Sequence, residues 1–358
     1  METNNNIKPY LSLAQQLDKA PLGAPQTPEL LELLQELFSP QEATLAAQLP
    51  FKPTRVKRLA EQLDQDPQEL DQVLAGMADR GLLYQRVTPA GNLYCLLPIL
   101  PGMAELQFMS GERNPHKERL AGLFEAYYRP GIGQAMVKAK LPYSRVIPVG
   151  RAVPQNQEIL PYERAEDVLK SQDFIALTTC YCRQEAELLG KGCGKPKDVC
   201  LVFGPFAEYT SKKGFAKPIS LEEALKVLER AEEAGLVHVT DNVAQGANFM
   251  CNCCGCCCLF LKTITELDSP GAVAQASFLA EVDGAECTQC EACLDACQVG
   301  AIRLDGGPAV VDPERCLGCG LCQGACAFDA IAMTPRESTP PASSFPDLVA
   351  RLKSEEAA

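Results

Sequence analysis

The apolar positions of the first hundred residues fall at helical spacing. Leu30, Leu31, Leu33, Leu34 and Leu37 form one stripe, with Thr27 placed to cap it and Pro28 at the first helical position. The same reading predicts helices from Pro40 to Leu49 behind Ser39, from about Thr54 to Leu63, and from Pro67 to Arg80 behind Asp66. Gly81 closes the last of these. The period then changes. Residues 82–86 and 92–97 read as two strands joined by a turn at Pro89-Ala90-Gly91. Further on, helices are predicted over 117–128, 162–171 and 219–235, with a strand at 236–240. Residues 1–27 are polar and proline-dotted and read as an arm, and residues 335–358 as a linker with a short charged helix.

A chain of 358 residues has room for two to four domains. No run of 18 apolar residues occurs, so no membrane insertion is expected. The start is polar and lacks an apolar secretory segment, which points to a reducing cytoplasm. Nineteen cysteines are then thiolates open to metal rather than a disulfide framework. Residues 28–98, helices followed by a hairpin, resemble a winged helix-turn-helix. A net charge of −13, and Glu69, Asp71 and Asp79 against Arg80 on the candidate recognition helix, oppose phosphate contact, so no nucleic acid is expected. The module reads instead as a docking surface, for a redox partner protein or a second copy in a homo-oligomer or larger complex.

The cysteines carry the chemistry. Cys287, Cys290, Cys293 and Cys297 are spaced C-x2-C-x2-C-x3-C, and Cys316, Cys319, Cys322 and Cys326 repeat that spacing. The doubled run resembles bacterial two-cluster ferredoxins, in which the fourth cysteine of each run serves the other cluster. That resemblance implies one [4Fe–4S] cluster on Cys287, Cys290, Cys293 and Cys326, and a second on Cys316, Cys319, Cys322 and Cys297. The ferredoxin pattern has proline after each fourth cysteine; here Gln298 and Ala327 stand there. Paired zinc knuckles are the alternative reading, disfavoured by the tripled step.

Ten more cysteines form a second field: Cys180, Cys182, Cys193, Cys200, Cys251, Cys253, Cys254, Cys256, Cys257 and Cys258. In extended chain Cys251, Cys253 and Cys257 share a face, as do Cys254, Cys256 and Cys258; in a turn Cys254 sits beside Cys257 and Cys258. So many neighbouring thiolates cannot all reach one cubane. One or two further iron–sulfur clusters are the leading reading, with a zinc–thiolate site and reversible thiol–disulfide chemistry as alternatives. Cys253-Cys254-Gly255 also resembles the Cys-Cys-Gly domain of heterodisulfide reductase subunits, which implies a catalytic cluster.

Taken together, Cys180-Tyr181-Cys182-Arg183, Cys193-Gly194, Cys200, the 251–258 string and the 287–326 ladder resemble a family of large bacterial iron–sulfur proteins found mainly in anaerobes. The resemblance implies an α+β chain: a winged-helix-like domain over 28–98, a cysteine-rich α+β middle domain over 99–275, and a dicluster ferredoxin fold over 276–334. It implies electron transfer through at least two [4Fe–4S] clusters, with three or four in all. A reductase subunit with a catalytic cluster in 180–258, or a redox-sensing winged-helix regulator, are the alternatives. No dinucleotide or P-loop motif occurs, and the only histidines, His116 and His238, read as packed or surface residues. No catalytic residue is expected.

Overall fold

The computed structural model describes residues 7–152 and 161–356. The amino-terminal helices start where their caps predict. The Thr27 hydroxyl accepts from the Leu30 amide, Ser39 and Glu42 form a reciprocal capping box, and Asp66 accepts from Gln68 and Glu69. The helices run over Pro28–Leu37, Pro40–Ala46, Val56–Leu63 and Pro67–Asp79, followed by strands Leu83–Arg86 and Leu93–Leu96. Thr54 and Arg55, expected to begin a helix, instead pair with Tyr94 and Leu93 as a third strand. The hairpin edge satisfies their backbone groups, so the helix opens only at Val56.

The expected arm differs too. Its first six residues lie outside the described ones, but Lys8–Leu17 is a helix whose Tyr10, Leu13, Ala14 and Leu17 are buried. Those four residues form an apolar face that packs on the second and third helices. The amino-terminal region is also sewn to the middle of the chain. The Tyr209 hydroxyl, which has one proton, lies 2.9 Å from the Ala78 carbonyl and 2.7 Å from that of Leu83.

The middle of the chain folds around a seven-stranded sheet. Its order is Val273–Ala274, Ser144–Ile147, Val237–Asp241, Phe249–Cys253, Cys200–Phe203, Ile175–Thr178 and Lys217–Pro218. Only the first pair is parallel; the other five are antiparallel. Helices Pro115–Tyr127, Tyr181–Leu188 and Leu221–Glu233 accompany it. The helix predicted from residue 162 starts at Ala165. Glu163 is held out of it, because its buried carboxylate pairs with Arg145 at 3.3 Å and accepts from the Ser277 amide.

The carboxy-terminal module repeats one unit. Helices Ala292–Ala296 and Leu321–Ala325 pack together, and each repeat closes on a two-stranded sheet: Ile302–Arg303 with Val310–Val311, and Phe278–Val282 with Ile331–Pro335. The tail is more than a linker. Ala342 exchanges backbone hydrogen bonds with the 242–244 segment, and helix Phe345–Glu356 buries Leu348 and Leu352. Among the described residues no helix is long and apolar enough to cross a membrane.

Candidate metal centres

The repeat brings the ladder cysteines together crosswise. One cavity is lined by Cys287, Cys290, Cys293 and Cys326. A second is lined by Cys316, Cys319, Cys322 and Cys297. The surrounding atoms suit anionic sulfur. The Ala301 amide donates to Cys297 Sγ at 3.2 Å and the Ala309 amide to Cys287 Sγ at 3.5 Å. Four thiols around an open space, with amide donors aimed at sulfur, is the donor set a [4Fe–4S] group requires.

The two cavities differ in setting. Cys290 and the neighbouring Phe328 are exposed, so the first opens at the surface. The second is pressed against the middle of the chain, where the Val149 amide donates to the Cys319 carbonyl. Burial pushes the Cys319 thiol up to about 12 and raises that of Cys322 as well. Backbone conformation reflects the same asymmetry. Gln289 and Glu291 in the first run, and Gly318 and Gly320 in the second, all have positive φ. A Cβ on Gly318 would lie 2.2 Å from the Phe278 carbonyl oxygen, so that position admits only glycine. Gln289 and Glu291 face solvent and have room for side chains.

The ten-cysteine field divides into six and four. Cys180 interacts with Cys182 and Cys200, Cys200 with Cys251, Cys251 with Cys253, Cys253 with Cys258, and Cys258 in turn with Cys182. The result is a closed ring of six thiols, all buried except Cys251, which is partly so. The sheet builds it. Cys251 and Cys253 project from one face of their strand, Cys200 begins the adjacent strand, and Thr178, two residues before Cys180, pairs with Cys200. The Cys182 and Cys253 thiols and the Leu261 amide hold Cys258 well below the usual thiol range.

The remaining four separate because the strand ends at Cys253. Residues 254–257 turn away, and Cys254, Cys256 and Cys257 meet Cys193, with all four sulfurs within 4.8 Å of one another. The extended-chain grouping of Cys257 with Cys251 and Cys253 is therefore corrected: Cys258 joins the strand face and Cys257 the turn. Cys254 is lowered to about 5, chiefly by its contact with Cys257 and next by Arg183.

Arg183 was quoted in the sequence only as part of a motif, and the structure gives it a place. It is 2% exposed, donates to the Asn252 carbonyl at 3.0 Å, and lies 3.7 Å from Cys254 Sγ. Its Nε and Nη2 have no partner among the described residues. A buried guanidinium with open donors calls for anionic charge beside it, which metal-bound thiolates supply. Asn252, which the sequence did not single out, fixes the strand through His238, whose Nδ1 lies 2.5 Å from its Oδ1. His238 Nε2 lies 3.2 Å from Glu232, so this histidine is a buried packed residue and no thiol group includes it. His116 sits at the surface beside Glu36.

The two cysteine regions meet at Gly255. The Gly255 amide donates to Gln298 Oε1 at 3.1 Å, and a Cβ on Gly255 would stand 1.8 Å from the Gln298 carbonyl oxygen. The glutamine that replaces the ferredoxin proline is thus the seat of the turn that carries Cys254, Cys256 and Cys257. No match is found among curated proteins, and none among solved structures. Residues 286–330 match the family of 4Fe-4S dicluster domains. With the two thiol-lined cavities in that same stretch, the match supports an iron–sulfur protein with a ferredoxin-type carboxy-terminal domain.

Proposed function

We propose that this protein is an electron carrier or electron-transfer subunit that relays single electrons between a partner at the surface and the buried cysteine field. The observation that carries the proposal is the crosswise grouping of Cys287, Cys290, Cys293 and Cys326 in one cavity and Cys297, Cys316, Cys319 and Cys322 in the other. Two bound [4Fe–4S] groups would supply one-electron chemistry there. The chain's own residues do the rest. The Ala301 and Ala309 amides stabilise negative charge on sulfur, Gly320 admits the close approach of Ala152 from the middle of the chain, and the Gly255–Gln298 contact brings the inner cavity against the ten-cysteine field. The ring of six thiols, which has only sulfur donors, is the site proposed for a further cluster.

The outer end fits a partner. Phe328, 50% exposed, borders the outer cavity and the exposed Cys290, and the chain's −13 charge suits a partner with a basic docking face. The regulator alternative has less support. Asp71 on the supposed recognition helix is engaged with Tyr94 at 2.7 Å and Asn92 at 3.0 Å, and Asp79 pairs with Lys213. The reductase alternative requires substrate access, yet five of the six ring cysteines are buried.

The test is anaerobic purification with iron and acid-labile sulfide counts, followed by electron paramagnetic resonance. About 8 irons with matching sulfide belong to the ferredoxin end, and sulfide beyond that belongs to the ring. Cys326→Ser should alter the signal that Cys287→Ser alters, and Cys297→Ser the one that Cys316→Ser alters. A protein without sulfide, or with both substitutions of one run acting on one signal, would refute the proposal.

A further inference from the structure

We propose that Cys193, Cys254, Cys256 and Cys257 hold one tetrahedral divalent ion, Zn²⁺ or Fe²⁺, and not an iron–sulfur cluster. This deepens the reading of the ten-cysteine field but stands independently of the ferredoxin clusters. Distance is the first argument. A single zinc or iron ion bonded to four thiolates at about 2.3 Å sets their sulfurs about 3.8 Å apart. The four sulfurs here all lie within 4.8 Å of one another, and those of Cys256 and Cys257 are 3.7 Å apart. A cubane carries an iron at each of four corners and holds its thiolates farther apart, around an open volume. The two ladder groups line open spaces of that kind.

Connectivity is the second argument. Three ligands come from one tight turn, Cys254 to Cys257, and the fourth from a distant loop flanked by Gly192 and Gly194. A single ion asks for this compact arrangement, in which one turn wraps it and a remote thiolate closes the tetrahedron. Charge is the third. Four thiolates around a divalent ion carry a net charge of −2. Arg183, 2% exposed, reaches Cys254 Sγ at 3.7 Å with two further donors unpaired among the described residues. The ion would pin the 193 loop to the turn whose Gly255 rests on Gln298, and so brace the junction with the ferredoxin end.

The test uses full-length protein purified without oxygen. Zinc, iron and acid-labile sulfide are measured in the wild type, Cys193→Ser and Cys256→Ser. Each variant is expected to lose one metal ion per chain and no sulfide, with the ferredoxin resonance signals retained as a check on folding. Loss of about four irons with four sulfides would show a cluster and overturn the proposal, as would unchanged metal content. Because either variant could fold poorly, the wild type is also produced in cells supplied with Co²⁺. The ligand-field and thiolate-to-cobalt bands of a four-sulfur tetrahedral site are expected, and their absence overturns the proposal. Whether the native ion is zinc or iron follows from the wild-type counts. Either supports the single-ion site, and a failure here leaves the sulfide of the ferredoxin end unchanged.

Discussion

Replacing Arg183 with methionine tests whether the cysteine field is metallated as described. Methionine keeps much of the side-chain volume but removes the charge and every donor. At 3.7 Å from Cys254 Sγ, the guanidinium attracts a unit negative charge by about 4.5 kcal/mol at an effective dielectric constant of about 20. Desolvation offsets part of this, and breaking a buried pair typically costs about 3 to 5 kcal/mol. The retained ion should therefore be roughly a hundredfold to a few thousandfold easier to extract. The assay is chelator competition on anaerobic protein, read as metal and sulfide remaining at each chelator concentration. The effect should be smaller in metal-stripped protein. There the Cys254 thiolate stands beside the guanidinium without the other bound thiolates, and Arg183→Met should lower the unfolding temperature less than it does in the loaded protein. Equal metal retention in variant and wild type, or equal destabilisation with and without metal, would refute the reasoning.

Two further substitutions probe the frame around the metal groups. Gly255→Ala places a Cβ 1.8 Å from the Gln298 carbonyl oxygen, an overlap that backbone must relieve. A cost of about 1 to 3 kcal/mol is expected, seen as roughly tenfold or more faster hydrogen exchange in residues 254–258 and 297–300; unchanged protection would count against the tight junction. Glu185→Gln addresses pH. Burial, reinforced by Glu125, raises the Glu185 carboxyl from 4.5 to about 8, so the folded chain keeps a proton that the unfolded chain releases above about 4.5. Stability should fall as pH rises between those values, at up to about 1.4 kcal/mol per pH unit, and the glutamine variant should show a flatter profile of urea midpoints. Identical profiles would exclude Glu185 as the source.

What the sequence made legible was local. The ladder spacing, the Thr27, Ser39 and Asp66 caps and the hairpin around Gly91 depend on neighbours a few residues away, and each has its physical cause within that span. The helix Lys8–Leu17 was missed because proline and polar residues around it hide a short stripe whose burial is supplied by other helices. The division of the 251–258 string was out of reach for a related reason. Period-two spacing puts Cys257 with Cys251 and Cys253, but only if the strand continues. It stops at Cys253, and the partners that complete each group come from residues 180–200. Arg183 and Asn252 carry no spacing signal, and their roles appear only once the sheet sets them beside sulfur.

The two ferredoxin repeats show how a symmetric sequence acquires direction. Gln298 and Ala327 hold equivalent places, each following a fourth cysteine, and neither is the proline of the ferredoxin pattern. Ala327 is exposed beside Phe328, whereas Gln298 is half-buried and receives Gly255. A proline at 298 would keep the carbonyl but lose the side-chain acceptor for the Gly255 amide, leaving a donor unpaired at a part-buried junction. The same division governs the left-handed positions, with Gly318 packed on the Phe278 carbonyl and Gly320 on Ala152, and Gln289 and Glu291 where solvent leaves room. Each departure from symmetry thus tracks what lies opposite: protein and the ten-cysteine field around the inner cavity, open surface around the outer. In the proposed relay, an electron at the Cys290–Phe328 surface and one passing toward the six-thiol ring would meet different environments, and that difference gives the relay its two distinct ends.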